Sequence, residues 1–187
     1  MPVQREQIRS RIADTLGTVE AVLDVGCGSC DLVRFLARRV AHEAVGIDIN
    51  GHTGHEHLPG DADGSPRTAR CLEMDARHMD ELGDGWFDAV VSTHALHEIA
   101  EPMKALQEMR RVLKHGGTLL IADFAKGERR WKERYFTPGE VDAMLRQAGF
   151  AEIDVEKVPG EPFMFATASK LAPLNAEPSG GRQPGAR

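Results

Sequence analysis

The stretch Val22-Leu23-Asp24-Val25-Gly26-Cys27-Gly28-Ser29-Cys30-Asp31 decides how this chain is read. Val22, Leu23 and Val25 form an apolar run of the length of an interior strand. Gly26 and Gly28 permit backbone angles and close approaches that a Cβ would block. Beyond the turn, Leu32, Leu36 and Val40 fall on one helical stripe, with Val33 and Ala37 beside them. A strand that feeds a glycine turn and a helix opens a βαβ unit. Ligands of such folds bind at the carboxyl ends of the strands, where strand order reverses.

Working outward, the periodicity of Ile8, Ile12 and Leu16 predicts a helix over 4–16, inside an N-terminal segment 1–18. The first strand is expected at 21–25, its helix at 30–40, and a second strand at 44–49. Asp48 stands at the tip of that strand, 20 residues beyond Gly28, where a carboxylate can accept both hydroxyls of a ribose. Residues 50–69 are polar and rich in Gly and Pro, and read as a long loop in place of a crossover helix. Further strands are expected at 70–74, 87–92 and 118–122, with a short helix or turn over 76–82 and a helix over 102–113. Thr137-Pro138-Gly139-Glu140 is a capping box that starts a helix ending at Gly149-Phe150. Strands near 151–158 and 162–169, parted by Pro159-Gly160, are expected to pair as an antiparallel hairpin. Residues 1–170 thus read as a single domain and 171–187 as a disordered tail. The fold class is α/β, a doubly wound and mostly parallel sheet covered on both faces.

Composition narrows the function. With 23 Lys+Arg against 29 Asp+Glu, the net charge of -6 lacks the basic footprint of a sequence-independent nucleic-acid binder. No apolar stretch is long enough to span a bilayer, and Met1 to Thr18 has no apolar signal core. The three cysteines do not make a disulfide framework and suit a reducing cytoplasm. Cys27 and Cys30 read as small packing residues, not a redox pair.

The fold brings the glycine turn, Asp48, Asp75 and the segment Ser92-Thr93-His94 to one place, which describes a nucleoside pocket. Here the sequence resembles the class I S-adenosylmethionine-dependent methyltransferases over about 20–170. Val22 to Gly28 is similar to that family's first motif, Ala44 to Asp48 to its ribose-binding strand, and Met74-Asp75-Ala76 to the segment that contacts adenine. Phe87 to Ser92 and Arg111 to Gly117 are similar to its later motifs. The last of these, with Phe136-Thr137 to Gly149-Phe150, resembles the subgroup of ubiquinone and menaquinone biosynthesis methyltransferases. The resemblance implies a Rossmann-like sheet of seven strands with the last antiparallel. It implies S-adenosyl-L-methionine as cofactor, with contacts at Asp24, Gly26, Cys27, Gly28, Asp48, Ile49, Asp75, Ala76 and Thr93. Where the family usually carries a third glycine, this chain has Cys30, which adds a side chain at the helix start. A dinucleotide fingerprint fits less well, because position 31 is Asp and an acid at a helix N-terminus opposes a pyrophosphate.

The expected reaction is in-line attack by a small-molecule carbon or oxygen nucleophile on the sulfonium methyl, in a monomer or homodimer. Candidates for a base are His94, His97 and Asp123, at the carboxyl ends of the fourth and fifth expected strands. His52, His55 and His57, with Glu56, Asp61 and Asp63, offer metal-ligand chemistry, but the ordinary reading of the loop is a solvated segment and no resident metal is assigned. A basic run, Arg129, Arg130, Lys132 and Arg134, borders the substrate side. The competing reading is a non-catalytic S-adenosylmethionine- or metal-binding module that uses the histidine loop.

Overall fold

Alternation of side chains along the first strand builds the two layers of the molecule. In β1 (Val19–Val25), Ala21, Leu23 and Val25 point into one core layer and Val22 into the other. The first layer is closed by α3 (Pro102–Val112) and α4 (Pro138–Gln147), through Leu106, Met109, Val141 and Leu145. The second is closed by α1 (Pro2–Leu16) and α2 (Asp31–Arg39), through Ile8, Ile12, Val33 and Leu36. The computed structural model describes residues 2–51, 53–58, 66–126 and 135–172. The tail from 173 onward and the basic run Arg129 to Arg134 lie outside them, as do His52, Asp61 and Asp63.

The remaining strands are β2 (Ala41–Asp48), β3 (Gly54–Leu58), β4 (Arg67–Glu73), β5 (Phe87–Thr93), β6 (Leu113–Phe124), β7 (Ala151–Lys157) and β8 (Phe163–Ser169). Together they form one sheet of eight strands in the order β3-β4-β2-β1-β5-β6-β8-β7. β4, β2, β1, β5 and β6 run parallel, while β8 lies antiparallel to both β6 and β7. The strand order reverses beside β1, so a cleft opens between the carboxyl ends of β1 and β5.

The sheet therefore has one strand more than expected. Within the stretch read as a loop over 50–69, residues 54–58 form β3, which pairs antiparallel with β4 from Gly54↔Cys71 to Leu58↔Arg67. Its polar sequence hides a strand that exists because β4 offers an unpaired edge. Arg34 of α2 fixes it from the side, donating from Nε to Glu56 at 3.1 Å. A second correction concerns β6, which begins at Leu113 directly after α3, ahead of the strand expected at 118–122. A third concerns the cysteines: Cys30 and Cys71 form a disulfide and Cys27 is the free one. The two bonded residues are 41 apart in sequence, and only the β2–β4 pairing brings them together.

Helix α4 begins as the sequence requires. The Thr137 hydroxyl accepts from the Glu140 N–H at 3.2 Å, and the Glu140 carboxylate accepts from the Thr137 N–H at 2.7 Å. Helix α1 is anchored by buried Ile8 and Ile12, each worth roughly 1.5–3 kcal/mol of burial. Arg11 adds an ion pair with Glu156 and lies 4.3 Å above the Phe165 ring. These anchors place the start of α1 over the turn that follows β1.

Candidate active site

The turn after β1 is shaped by two constraints. Gly26 has φ +80°, and a Cβ there would lie 2.3 Å from the Cβ of Ala95. The Gly26 and Cys27 N–H groups both donate to the Ile47 carbonyl, at 2.8 and 3.0 Å, which ties the turn to the tip of β2. One residue beyond that carbonyl, Asp48 accepts from the Gly28 N–H at 2.9 Å and from the Asn50 N–H at 2.9 Å. Its carboxylate is thereby fixed at the mouth of a cavity of about 480 Å³.

That cavity is lined by Gly26, Gly28, Asp48, Ile49, Asp75 and Ala76, among others, so the structure gathers six of the nine expected cofactor residues on one wall. Ile49 is 60% exposed, an apolar side chain that a flat base can cover. A second cavity of about 260 Å³ lies on the other side of the turn and is lined by Cys27, Thr93, Arg5 and Arg9, sharing Gly26, Gly28 and His94 with the first. Asp24 lines neither cavity. It points under the turn, in the layer of Val22.

Sequence reasoning missed Arg5 and Arg9. They are spaced one turn apart on α1, and only the docking of that helix turns them toward the cavity. It also missed the fork beneath Asp75. Arg77 donates from Nη2 at 2.6 Å and from Nε at 3.0 Å to that carboxylate, and from Nη1 to Glu101 at 3.1 Å. Hydrogen bonding to Arg77 holds the Asp75 carboxyl down at about 2.

The three candidate bases part company. His94 has φ +55°, its ring packs on Phe124 and Phe163 at 4.9 and 5.1 Å, and burial lowers its pKa. His97 lies in a 3-10 turn over Leu96–Glu98, with its ring 4.8 Å from that of Tyr135. Its Nδ1 is 2.7 Å from Asp123 Oδ1, and its N–H donates to Asp123 Oδ2 at 3.1 Å. Asp123 also accepts from the Phe124 N–H at 2.7 Å. A carboxylate accepts, so His97 carries its proton on Nδ1, and Nε2, 3.8 Å from Glu98 Oε1, is its basic nitrogen. His94 and His97 share Phe124, but only His97 is partnered by Asp123.

The electrostatics of the turn are acidic. Burial first, and Asp48 second, push the Asp24 carboxyl up to about 7. The same burial, with Asp24 and Asp48 nearby, pushes the Cys27 thiol up to about 12. Such surroundings suit a nucleoside that carries a positive charge and resist one that carries phosphates. S-Adenosylmethionine, an adenosine bearing a sulfonium, fits the cavity on these grounds.

His55 and His57 do not assemble a metal centre with Glu56. The pair project from one face of β3 and Glu56 from the other, where it meets Arg34.

Known proteins share this layout. Residues 23–121 match the family described as Methyltransferase domain. The chain is 30% identical over 186 residues to malonyl-[acyl-carrier protein] O-methyltransferase of Geobacter sulfurreducens, covering 86% of this chain and 69% of that protein. It is 34% identical over 110 residues to the ubiquinone/menaquinone biosynthesis C-methyltransferase of Ralstonia nicotianae, covering 56% of this chain and 43% of that protein. Among solved structures, the 1,6-didemethyltoxoflavin-N1-methyltransferase of Burkholderia thailandensis, with bound 1,6-didemethyltoxoflavin and S-adenosylhomocysteine, shares the fold with a TM-score of 0.68. Its identity is 21%, over 88% of this chain and 76% of that one. The chain spans about half or less of the length of several curated relatives that it matches. A matching domain over more than half of the sequence, and a relative alike across most of both proteins, make this chain a member of the class I S-adenosylmethionine-dependent methyltransferases.

Proposed function

We propose that this methyltransferase acts on a small molecule through a carbon or oxygen nucleophile, with His97 as general base and Asp123 as its positioning partner. The observation that carries the reading is the buried His97–Asp123 pair, 2.7 Å apart, behind the wall of the cofactor cavity. Its neighbours in sequence, Ala95, Glu98 and Ile99, line that cavity. The rings of Phe124 and Tyr135 flank His97 and set the base among apolar faces. The relatives named for O- and C-methylation support the same choice of nucleophile.

When bound, S-adenosylmethionine supplies a methyl group made electrophilic by its sulfonium. The residues of the chain do the rest. Asp48 would accept hydrogen bonds from the ribose hydroxyls, and Ile49 and Met74 would cover the base. Arg5 and Arg9 would meet the carboxylate of the amino-acid end, with the backbone of Gly26 to Gly28 bordering the cofactor. His97 Nε2 takes the proton that a hydroxyl or an acidic carbon loses as it attacks, and Asp123 steadies the resulting imidazolium. Alignment and exclusion of water supply most of the remaining barrier reduction.

The test is a panel of small phenols and enolisable diketones incubated with methyl-labelled S-adenosylmethionine. Label should pass to an oxygen or carbon of at least one acceptor class, and His97→Ala should slow the transfer by roughly 10²–10⁴-fold. Transfer to nitrogen alone, or full activity in His97→Ala, overturns the assignment.

A further inference from the structure

Register aligns four residues of four adjacent strands below the cofactor turn. Asp24 of β1 pairs with Gly46 of β2, Gly46 with Cys71 of β4, and Cys71 with Gly54 of β3. Partners in register share a face, and Asp24 and Cys71 therefore stand on either side of Gly46 in the layer that holds α2. Gly46 has no side chain, and the space is taken from above by Cys27. A Cβ at Gly46 would lie 2.8 Å from Cys27 Sγ. Cys30 enters from the start of α2, with its sulfur 3.8 Å from that of Cys27. The sulfurs of Cys27, Cys30 and Cys71 all lie within 4.8 Å of one another. Across Gly46 from Cys71 stands Asp24, 1% exposed, with neither carboxylate oxygen hydrogen-bonded among the described residues.

We propose that the reduced chain holds one soft divalent cation of the zinc class on the sulfurs of Cys27, Cys30 and Cys71. Cys27-Gly28-Ser29-Cys30 has the Cys-x-x-Cys spacing of thiolate metal sites. Zinc–sulfur bonds of about 2.3 Å in a tetrahedron set sulfurs about 3.8 Å apart, the separation already present between Cys27 and Cys30. The Cα atoms of Cys30 and Cys71, 6.5 Å apart, allow their sulfurs to open to a similar distance by side-chain rotation. A redox-active thiol pair sits instead in electropositive surroundings. Here the neighbouring charges are Asp24 and Asp48, which repel a bare thiolate and attract a cation.

The chemistry needs a dithiol reductant. It cleaves the Cys30–Cys71 bond with two electrons and two protons, leaving two thiols and its own disulfide. Binding of the cation by three thiols then releases three protons. The bound ion would tie the cofactor turn to β4, whose following residues, Met74 to Ala76, wall the adenosine cavity. This site is independent of which acceptor is methylated.

The experiment uses the full chain without a histidine tag, reduced and kept free of oxygen, and titrated with cadmium and zinc ions alone. One ion per chain is expected, with a thiolate-to-cadmium absorption worth three sulfurs and a rise in Tm. Cys71→Ser should count two sulfurs and bind at least tenfold more weakly. The chain with Cys30–Cys71 left oxidised should take up no ion at this site. No uptake by a chain that titrates as three free thiols overturns the proposal. So does uptake without thiolate absorption, which places the ion on histidines, or equal binding by the oxidised chain. Should Cys71→Ser fail to fold, the sulfur count on the natural chain decides alone.

Discussion

Nδ1 of His97 lies 2.7 Å from Oδ1 of Asp123, and the two side chains are 4% and 1% exposed. Asp123 accepts from three donors at once: the His97 ring, the His97 N–H and the Phe124 N–H. The contacts orient the His97 ring through Nδ1 and leave proton exchange to Nε2, which lies 3.8 Å from Glu98 Oε1. His97→Ala should cut methyl transfer by roughly 10²–10⁴-fold, the usual worth of a general base. The Tm rise given by S-adenosylhomocysteine should stay the same. His97→Gln should not restore the rate, because an amide cannot take the proton. A fall in S-adenosylhomocysteine binding equal to the fall in rate would make His97 structural.

Asp48 holds the turn by the Gly28 N–H and leaves the cavity mouth acidic. Asp48→Ala should weaken S-adenosylhomocysteine binding by about 1.5–3 kcal/mol, or roughly ten- to a hundredfold, as for lost hydrogen bonds to a charged group. Calorimetric titration measures it. Asp48→Asn, which keeps one acceptor, should lose less.

Asp24 sets a pH dependence with a definite sign. Its carboxyl titrates near 7 in the folded chain against 3.8 when unfolded. Between those values the folded state holds a proton that the unfolded state has lost. Stability of the metal-free chain should therefore fall as pH rises from about 4 to 7, by up to about 1.4 kcal/mol per unit from this group, and then level off. Asp24→Asn removes that slope. Its Tm relative to the natural chain should be higher at pH 8 than at pH 5, and parallel curves would exclude the effect.

Gly26 and Gly28 separate space from strain. Gly26→Ala drives a Cβ to 2.3 Å from the Ala95 Cβ, whereas Gly28→Ala meets nothing within 4 Å. Gly28→Ala should cost only the left-handed penalty, about 1–2 kcal/mol. Gly26→Ala should add an overpacking cost of about 1–3 kcal/mol and lose cofactor binding. Chemical denaturation of both variants ranks them.

What could be read from the sequence was what is local. The strand, turn and helix around Gly26 and Gly28 are set by neighbouring residues, and so is the capping box of Thr137 and Glu140. Strand β3 was illegible because nothing in Gly54-His55-Glu56-His57-Leu58 prefers a strand until β4 stands beside it. The cysteine cluster was illegible because residues 27, 30 and 71 meet only through the register of β2 with β4. Among the site residues, Asp48 and Ile49 followed from the tip of a strand. Arg5 and Arg9 depended on where α1 docks, and the placement of Asp24 below the turn depended on which face of β1 it occupies.

One border of the sheet is β7, whose exposed residues Glu152 and Asp154 are acidic, while Glu156 is paired with Arg11. Two copies that tried to extend their sheets across this border would face each other with rows of like charge, a barrier that salt would lower. The molecule thus carries a built-in deterrent to fibre-like growth along one rim.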